Sequence, residues 1–102
     1  MTAAQKPAIL DSVKIIDLTS VVFGPLATQM LGDLGADVIK VESPEGDLLR
    51  QVQPSRNKLM GAAFLGANRN KRSVILDLKT PADRNRLRKL LADADVMISS
   101  IR

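Results

Sequence analysis

The apolar positions of this chain come in short runs and helical stripes that alternate. Val13, Ile15, Ile16 and Leu18 form a compact apolar run, which predicts a strand over 13–18 covered on both faces. Leu26, Ala27, Met30, Leu31 and Leu34 then fall on one helical stripe over 25–34. Gly24-Pro25 opens that helix, because glycine is tolerated at the cap and proline at the first helical position gives up no hydrogen bond it needed. Gly35 closes it, since glycine takes the left-handed turn without strain. A second strand follows at 37–42, and one helix between two strands predicts a parallel crossover.

Beyond the turn Ser43-Pro44-Glu45-Gly46-Asp47, residues 48–60 lack clear periodicity, although Leu48, Leu49 and Val52 fit one helical turn that Pro54 ends. Residues 61–67 are small and apolar, and 68–72 are polar and basic. The run SVILDL predicts a third strand at 73–78. Thr80 as cap, Pro81 as first residue and Asp83 near the positive end predict a helix over 81–92, with Leu87, Leu90, Leu91 and Ala94 as its apolar stripe. A fourth strand is expected at 95–99. The pattern predicts an α/β fold, one parallel sheet with flanking helices in strand order 3-2-1-4. Residues 1–10 read as a leader and 11–102 as the folded part. Gly32, inside the first helix, is expected to serve close packing of helix on strand.

Composition narrows the chemistry. The 102 residues contain no Cys and no His, which removes disulfides, thiolate chemistry and the commonest general base. MTAAQKPA has no apolar core of a signal peptide, and no apolar run approaches the ~20 residues that span a bilayer. A soluble, cytoplasmic protein without membrane contact is the expectation. The net charge of +4 is unevenly placed: residues 1–49 carry −4 and residues 50–102 carry +8. The basic half suggests an anionic partner. With Phe23 and Phe64 as the only aromatics, nucleic acid lacks a stacking platform and is not expected.

The loop from the first strand into the first helix lacks G-x-G-x-x-G, so a nicotinamide or flavin cofactor is not expected. Yet it lies where open parallel sheets bind ligands, and helix N-termini favour anions. Arg69, Lys71 and Arg72 precede the third strand and Lys79 follows it; together they offer forks and point charges for phosphate. Asp17 and Asp77 lie in the first and third strands, where each is expected to hydrogen-bond a neighbouring loop. No catalytic set and no metal site is visible.

The stretches VKIIDLTSVVFGPLATQMLGDLGADVIKVESPEGD, NRNKRSVILDLKTPAD and ADVMISSIR together resemble the N-terminal part of the family III CoA-transferases. This group includes formyl-CoA transferase, carnitine CoA-transferase and the alpha-methylacyl-CoA racemases. The resemblance covers residues 11–102. It implies a Rossmann-like large domain in a longer subunit and an interlocked homodimer. It also implies transfer of CoA between carboxylic acids through an aspartyl-acyl anhydride, with acyl-CoA as substrate and no tightly bound cofactor. The family's nucleophilic aspartate corresponds to no residue here, so no catalytic residue is assigned. Its CoA contacts map onto Val22 and Phe23 after the first strand, Ser43 after the second, Leu76-Asp77-Leu78-Lys79, and Ser100 after the fourth. Val22 stands where a glutamine is common, Ser43 where an arginine is common, and Ser99-Ser100-Ile101 where V-E-N-F is common. The 102 residues alone are expected to be inactive in CoA exchange. The alternative is a truncated or stand-alone CoA-binding remnant without catalysis.

Overall fold

A computed structural model describes residues 8–101. Four strands, β1 (Lys14–Leu18), β2 (Asp37–Glu42), β3 (Lys71–Ile75) and β4 (Val96–Ser99), form one sheet in the order β3-β2-β1-β4. Every pairing is parallel, with Ile16 opposite Ile39 and Met97, and Val41 opposite Val74. The expected α/β class and strand order both hold. Residues 1–7 of the expected leader lie outside the described residues. Leu10 donates its N–H to the Leu34 carbonyl at 2.9 Å.

The two faces of β1 are built differently. Ile16 and Leu18 join Val41 and Leu76 in an apolar cluster, which Leu87, Leu90 and Leu91 of α3 (Pro81–Ala92) and Ala94 just beyond it cover. That is the stripe the sequence predicts for α3. Its start is also as expected, with Pro81 first and the Thr80 hydroxyl accepting the Asp83 N–H at 3.2 Å. On the other face Ile15, Ala36 and Val38 pack with Leu10, Val13, Leu31 and Ile98.

The helix on that face, α1 (Phe23–Asp33), departs from expectation. Its buried residues are Pro25, Thr28 and Gln29, whereas Met30 is 62% exposed and Phe23 90% exposed. Of the predicted stripe, Leu31 reaches the core. Polar groups on the sheet require this rotation. The Thr28 hydroxyl donates to Asp17 at 2.6 Å, and the Gln29 side chain accepts the Arg69 N–H at 2.8 Å. The helix also begins at Phe23, so Pro25 is its third residue; the N–H it lacks is still among the donors with no partner inside the helix. Gly35 ends the helix in the left-handed region, with φ +106. Gly32 packs as expected, since a Cβ there would lie 3.3 Å from the Asn70 carbonyl oxygen and 3.6 Å from Val38.

β3 starts and stops earlier than the expected 73–78. Leu76 still donates to the Glu42 carbonyl, but the Asp77 N–H is taken by the Asp83 carboxylate at 2.7 Å. The Asp77 carbonyl accepts from the Thr80 N–H and hydroxyl, so Asp77 lies in a turn and not in the strand. A 3-10 turn spans Leu48–Gln51, and α2 (Ala62–Ala67), not anticipated, buries Phe64 and Ala67.

Candidate functional site: a cavity at the carboxyl ends of the strands

The loops leaving β1, β2 and β3 enclose a cavity of about 540 Å³. Its lining comes from Leu18–Ser20, Val41–Leu48, Leu76–Lys79 and Ile101. Much of this wall is aliphatic, because the strands bring Leu18, Val41 and Leu76 up from the α3-side cluster. This is the end of a parallel sheet where ligands collect.

Charge on the opposite face of the sheet holds these loops. Alternation along the strands points Asp17, Lys40, Glu42 and Lys71 to the α1 side. Each charge is answered. The Lys71 ammonium lies 3.0 Å from Asp17 and donates to Asn68 at 2.7 Å and to the Pro25 carbonyl at 3.0 Å. Lys40 lies 2.9 Å from Asp47 and donates to the Thr19 carbonyl at 3.0 Å. Arg50 forks onto Glu42, with Nε at 2.7 Å and Nη2 at 2.8 Å, and stacks 3.8 Å from the Phe64 ring centroid. Ser73 also donates to Glu42, and the Asp47 N–H reaches it at 2.8 Å.

These contacts set the acidities. Burial would raise the Glu42 carboxyl, but Arg50, Ser73 and the Asp47 N–H outweigh it and hold the pKa down to about 2. For Asp17, burial also pushes upward, and the hydroxyls of Thr19 and Thr28, the Thr19 N–H and Lys71 bring it below the usual carboxylate range. Burial pushes the Lys71 ammonium down against the upward pull of Asp17. The donors converging on Asp17 mark it as the ionised partner, and Lys71 as its counter-charge.

The candidate residues from the sequence divide into two groups. Ser43, Leu76, Asp77, Leu78 and Lys79 line the cavity together. Val22, Phe23 and Ser100 do not; Val22 and Phe23 lie where the loop leaving β1 enters α1, and Ser100 in the segment leaving β4, the two neighbouring strands at which the sheet order reverses. The Ser100 hydroxyl oxygen accepts the Ser20 N–H at 3.3 Å and ties those loops together. Asp17 and Asp77 each serve a loop as expected: Asp17 accepts the Thr19 N–H at 2.8 Å, and Asp77 accepts the Lys79 N–H at 3.1 Å.

The basic cluster is a correction. The sequence offers Arg69, Lys71 and Arg72 to an anion, but the fold gives each to a carboxylate: Arg69 to Asp33 at 2.7 Å, Lys71 to Asp17, and Arg72 to Asp37 at 2.6 Å. Among the described residues that line the cavity, Lys79 is the sole cationic one. The sequence reading also missed Lys40, Glu42, Asp47 and Arg50. The available signal was Val38, Lys40 and Glu42 at alternate positions of one strand, a charged face inside an otherwise apolar pattern. No group of three or more His, Cys, Asp or Glu side chains suited to a metal occurs among the described residues, and no helix there is long and apolar enough to cross a membrane.

An α/β sheet with a ligand-sized cavity at its carboxyl edge defines a broad class of small-molecule-binding domains. Comparison with known proteins makes this specific. The sequence profile of CoA-transferase family III matches residues 10–102, and the chain belongs to that family. It is 42% identical over 97 residues to succinyl-CoA:mesaconate CoA-transferase of Haloarcula hispanica, covering 91% of this chain and 24% of that protein. Human succinyl-CoA:glutarate CoA-transferase is 44% identical over 92 residues, covering 89% of this chain and 21% of that protein. A CAIB/BAIF family protein from Brucella suis superposes with a TM-score of 0.86 at 43% identity, over 92% of this chain and 26% of that one. The chain thus spans about a quarter of the length of these relatives.

Proposed function

We propose that this chain forms the N-terminal, CoA-binding part of an enzyme that transfers CoA between carboxylic acids. The observation that carries the reading is the cavity at the strand ends, with an aliphatic wall and Lys79 as its cation. Ser43 and Leu76–Lys79, the positions where the family resemblance puts CoA contacts, meet there. Val22, Phe23 and Ser100 form a second group beside it, at the β1–β4 reversal. In this reading the aliphatic wall accepts the uncharged part of the nucleotide and Lys79 a phosphate. The substrates are an acyl-CoA and a carboxylic acid, with no tightly bound cofactor.

The chemistry follows the family scheme. An aspartate attacks the thioester carbonyl, giving an acyl-aspartyl anhydride and CoA thiolate; the thiolate attacks the aspartyl carbonyl and expels the donor acid, leaving an aspartyl-CoA thioester. The acceptor carboxylate displaces the thiolate to form a second anhydride, and thiolate attack on its acyl carbonyl releases the new acyl-CoA and the free aspartate. Neither buried Asp17 nor the turn residue Asp77 acts as that nucleophile, because each is committed to loop hydrogen bonds. These residues alone are therefore inactive in acyl-CoA exchange. The complete subunit works as an interlocked homodimer in the cytoplasm. Titration calorimetry with CoA and with dephospho-CoA tests the binding role: CoA should bind, and dephospho-CoA should bind more weakly. Absence of heat with CoA, or equal affinity for adenosine and CoA, overturns the reading.

A further inference from the structure

Val21, in the loop from β1 into α1, has φ +73, a left-handed conformation that a β-branched residue adopts only under constraint. The constraint comes from the next loop. The Val21 N–H donates to Asp47 Oδ1 over a long 3.4 Å, and the same oxygen accepts the Leu49 N–H at 3.0 Å. Asp47 Oδ2 is buried without a hydrogen bond, although Lys40 Nζ stands 2.9 Å away; the contact is a charge pair off the hydrogen-bond direction. Lys40 in turn donates to the Thr19 carbonyl at 3.0 Å. The backbone on both sides of Ser20 is therefore fastened to one pair rooted in β2 and the loop after it.

We propose that Lys40 and Asp47 are positioning residues: through Thr19 and Val21 they hold the β1–α1 loop in the strained form that receives CoA. The inference rests on the CoA-binding reading above. Asp47 supplies the acceptor that keeps Val21 left-handed, and Lys40 fixes that carboxylate. The pair acts through the loop backbone; Asp47 also borders the cavity, so the loop's share of the affinity is the part that Val21→Gly removes.

The test uses variants that leave no buried lysine unpaired, in the full polypeptide. Lys40→Met/Asp47→Asn keeps an acceptor oxygen for Val21; Lys40→Met/Asp47→Leu removes it. Amide hydrogen exchange of residues 20–24 without ligand should be about tenfold faster in the second variant than in the first, and its CoA dissociation constant should be about tenfold higher. Adding Val21→Gly should shrink both differences, because glycine adopts positive φ without the constraint. Equal exchange in the two variants, or differences unchanged by Val21→Gly, overturns the positioning role. A wild-type protein that does not bind CoA overturns the CoA reading, while the exchange comparison still decides whether the pair holds the loop.

Discussion

The Lys71 ammonium sits 3.0 Å from Asp17 Oδ2, and both side chains are sealed from solvent beneath α1. Removing one member leaves the other buried without its counter-charge, which costs about 3–5 kcal/mol. Asp17→Leu and Lys71→Met should each lower stability on that scale in urea unfolding. The double variant should cost less than the two added together, since no orphan charge remains. Additive losses would show that the two charges are not coupled.

Lys79 on the cavity wall is the residue expected to meet a phosphate of CoA. Lys79→Ala should weaken CoA binding by about 1–2 kcal/mol, the scale of a charge-assisted hydrogen bond. Arg84→Ala, on exposed α3, is the control. Calorimetry showing the same loss for both would reduce the effect to net charge.

Glu42 makes stability depend on acid. Its folded pKa of about 2 lies below the ordinary 4.5, so the folded state binds this proton less readily than the unfolded chain. The resulting stabilisation is fully present above about pH 5 and is lost as pH falls through 4.5 towards 2. It is on the order of 3 kcal/mol. Glu42→Gln should flatten the stability profile across that window. A variant profile parallel to wild type would refute the assignment.

Two glycines should respond with opposite sign to the same change. At Gly24 an added Cβ would fall 2.4 Å from Cβ of buried Thr19, so Gly24→Ala should destabilise by about 1–3 kcal/mol through overpacking. At Gly66, within α2, a Cβ meets nothing within 4 Å, and Gly66→Ala should stabilise by about 0.5–1 kcal/mol. Thermal melts of the two variants check both signs.

Strands and sheet order were legible because apolar positions dominate the pattern at β1, β2 and α3, even with Asp17, Lys40 and Glu42 buried among them. Where polar demands override burial, the reading failed. The stripe of α1 was misread because Thr28 and Gln29 turn inward to serve Asp17 and Arg69, leaving Met30 outside. The end of β3 was misplaced because the Asp83 carboxylate captures the Asp77 N–H, a contact made from the following helix. α2 escaped notice because its six residues, one of them glycine, span too few turns to show a period. Of the candidate site, the segment Leu76–Lys79 and Ser43 converge on one cavity, while the charge-based cluster lies away from it, Lys71 in a buried pair with Asp17 and Arg69 and Arg72 in surface pairs with Asp33 and Asp37. Counting charges gives no pairing, and pairing decides which cations remain for a ligand.

β4 is made after β1, β2 and β3, yet its place is beside the first, where the Asp95 carboxylate accepts the Lys14 N–H and the Lys14 carbonyl accepts the Asp95 N–H. During synthesis β1, β2 and β3 can already align as each leaves the ribosome. One flank of β1 then stays open until about eighty more residues have been translated. In that interval a nascent chain displays an unfilled, apolar strand slot to any extended peptide nearby. Closure of the sheet on that side therefore waits on the whole segment between β1 and β4 and not on β1 itself.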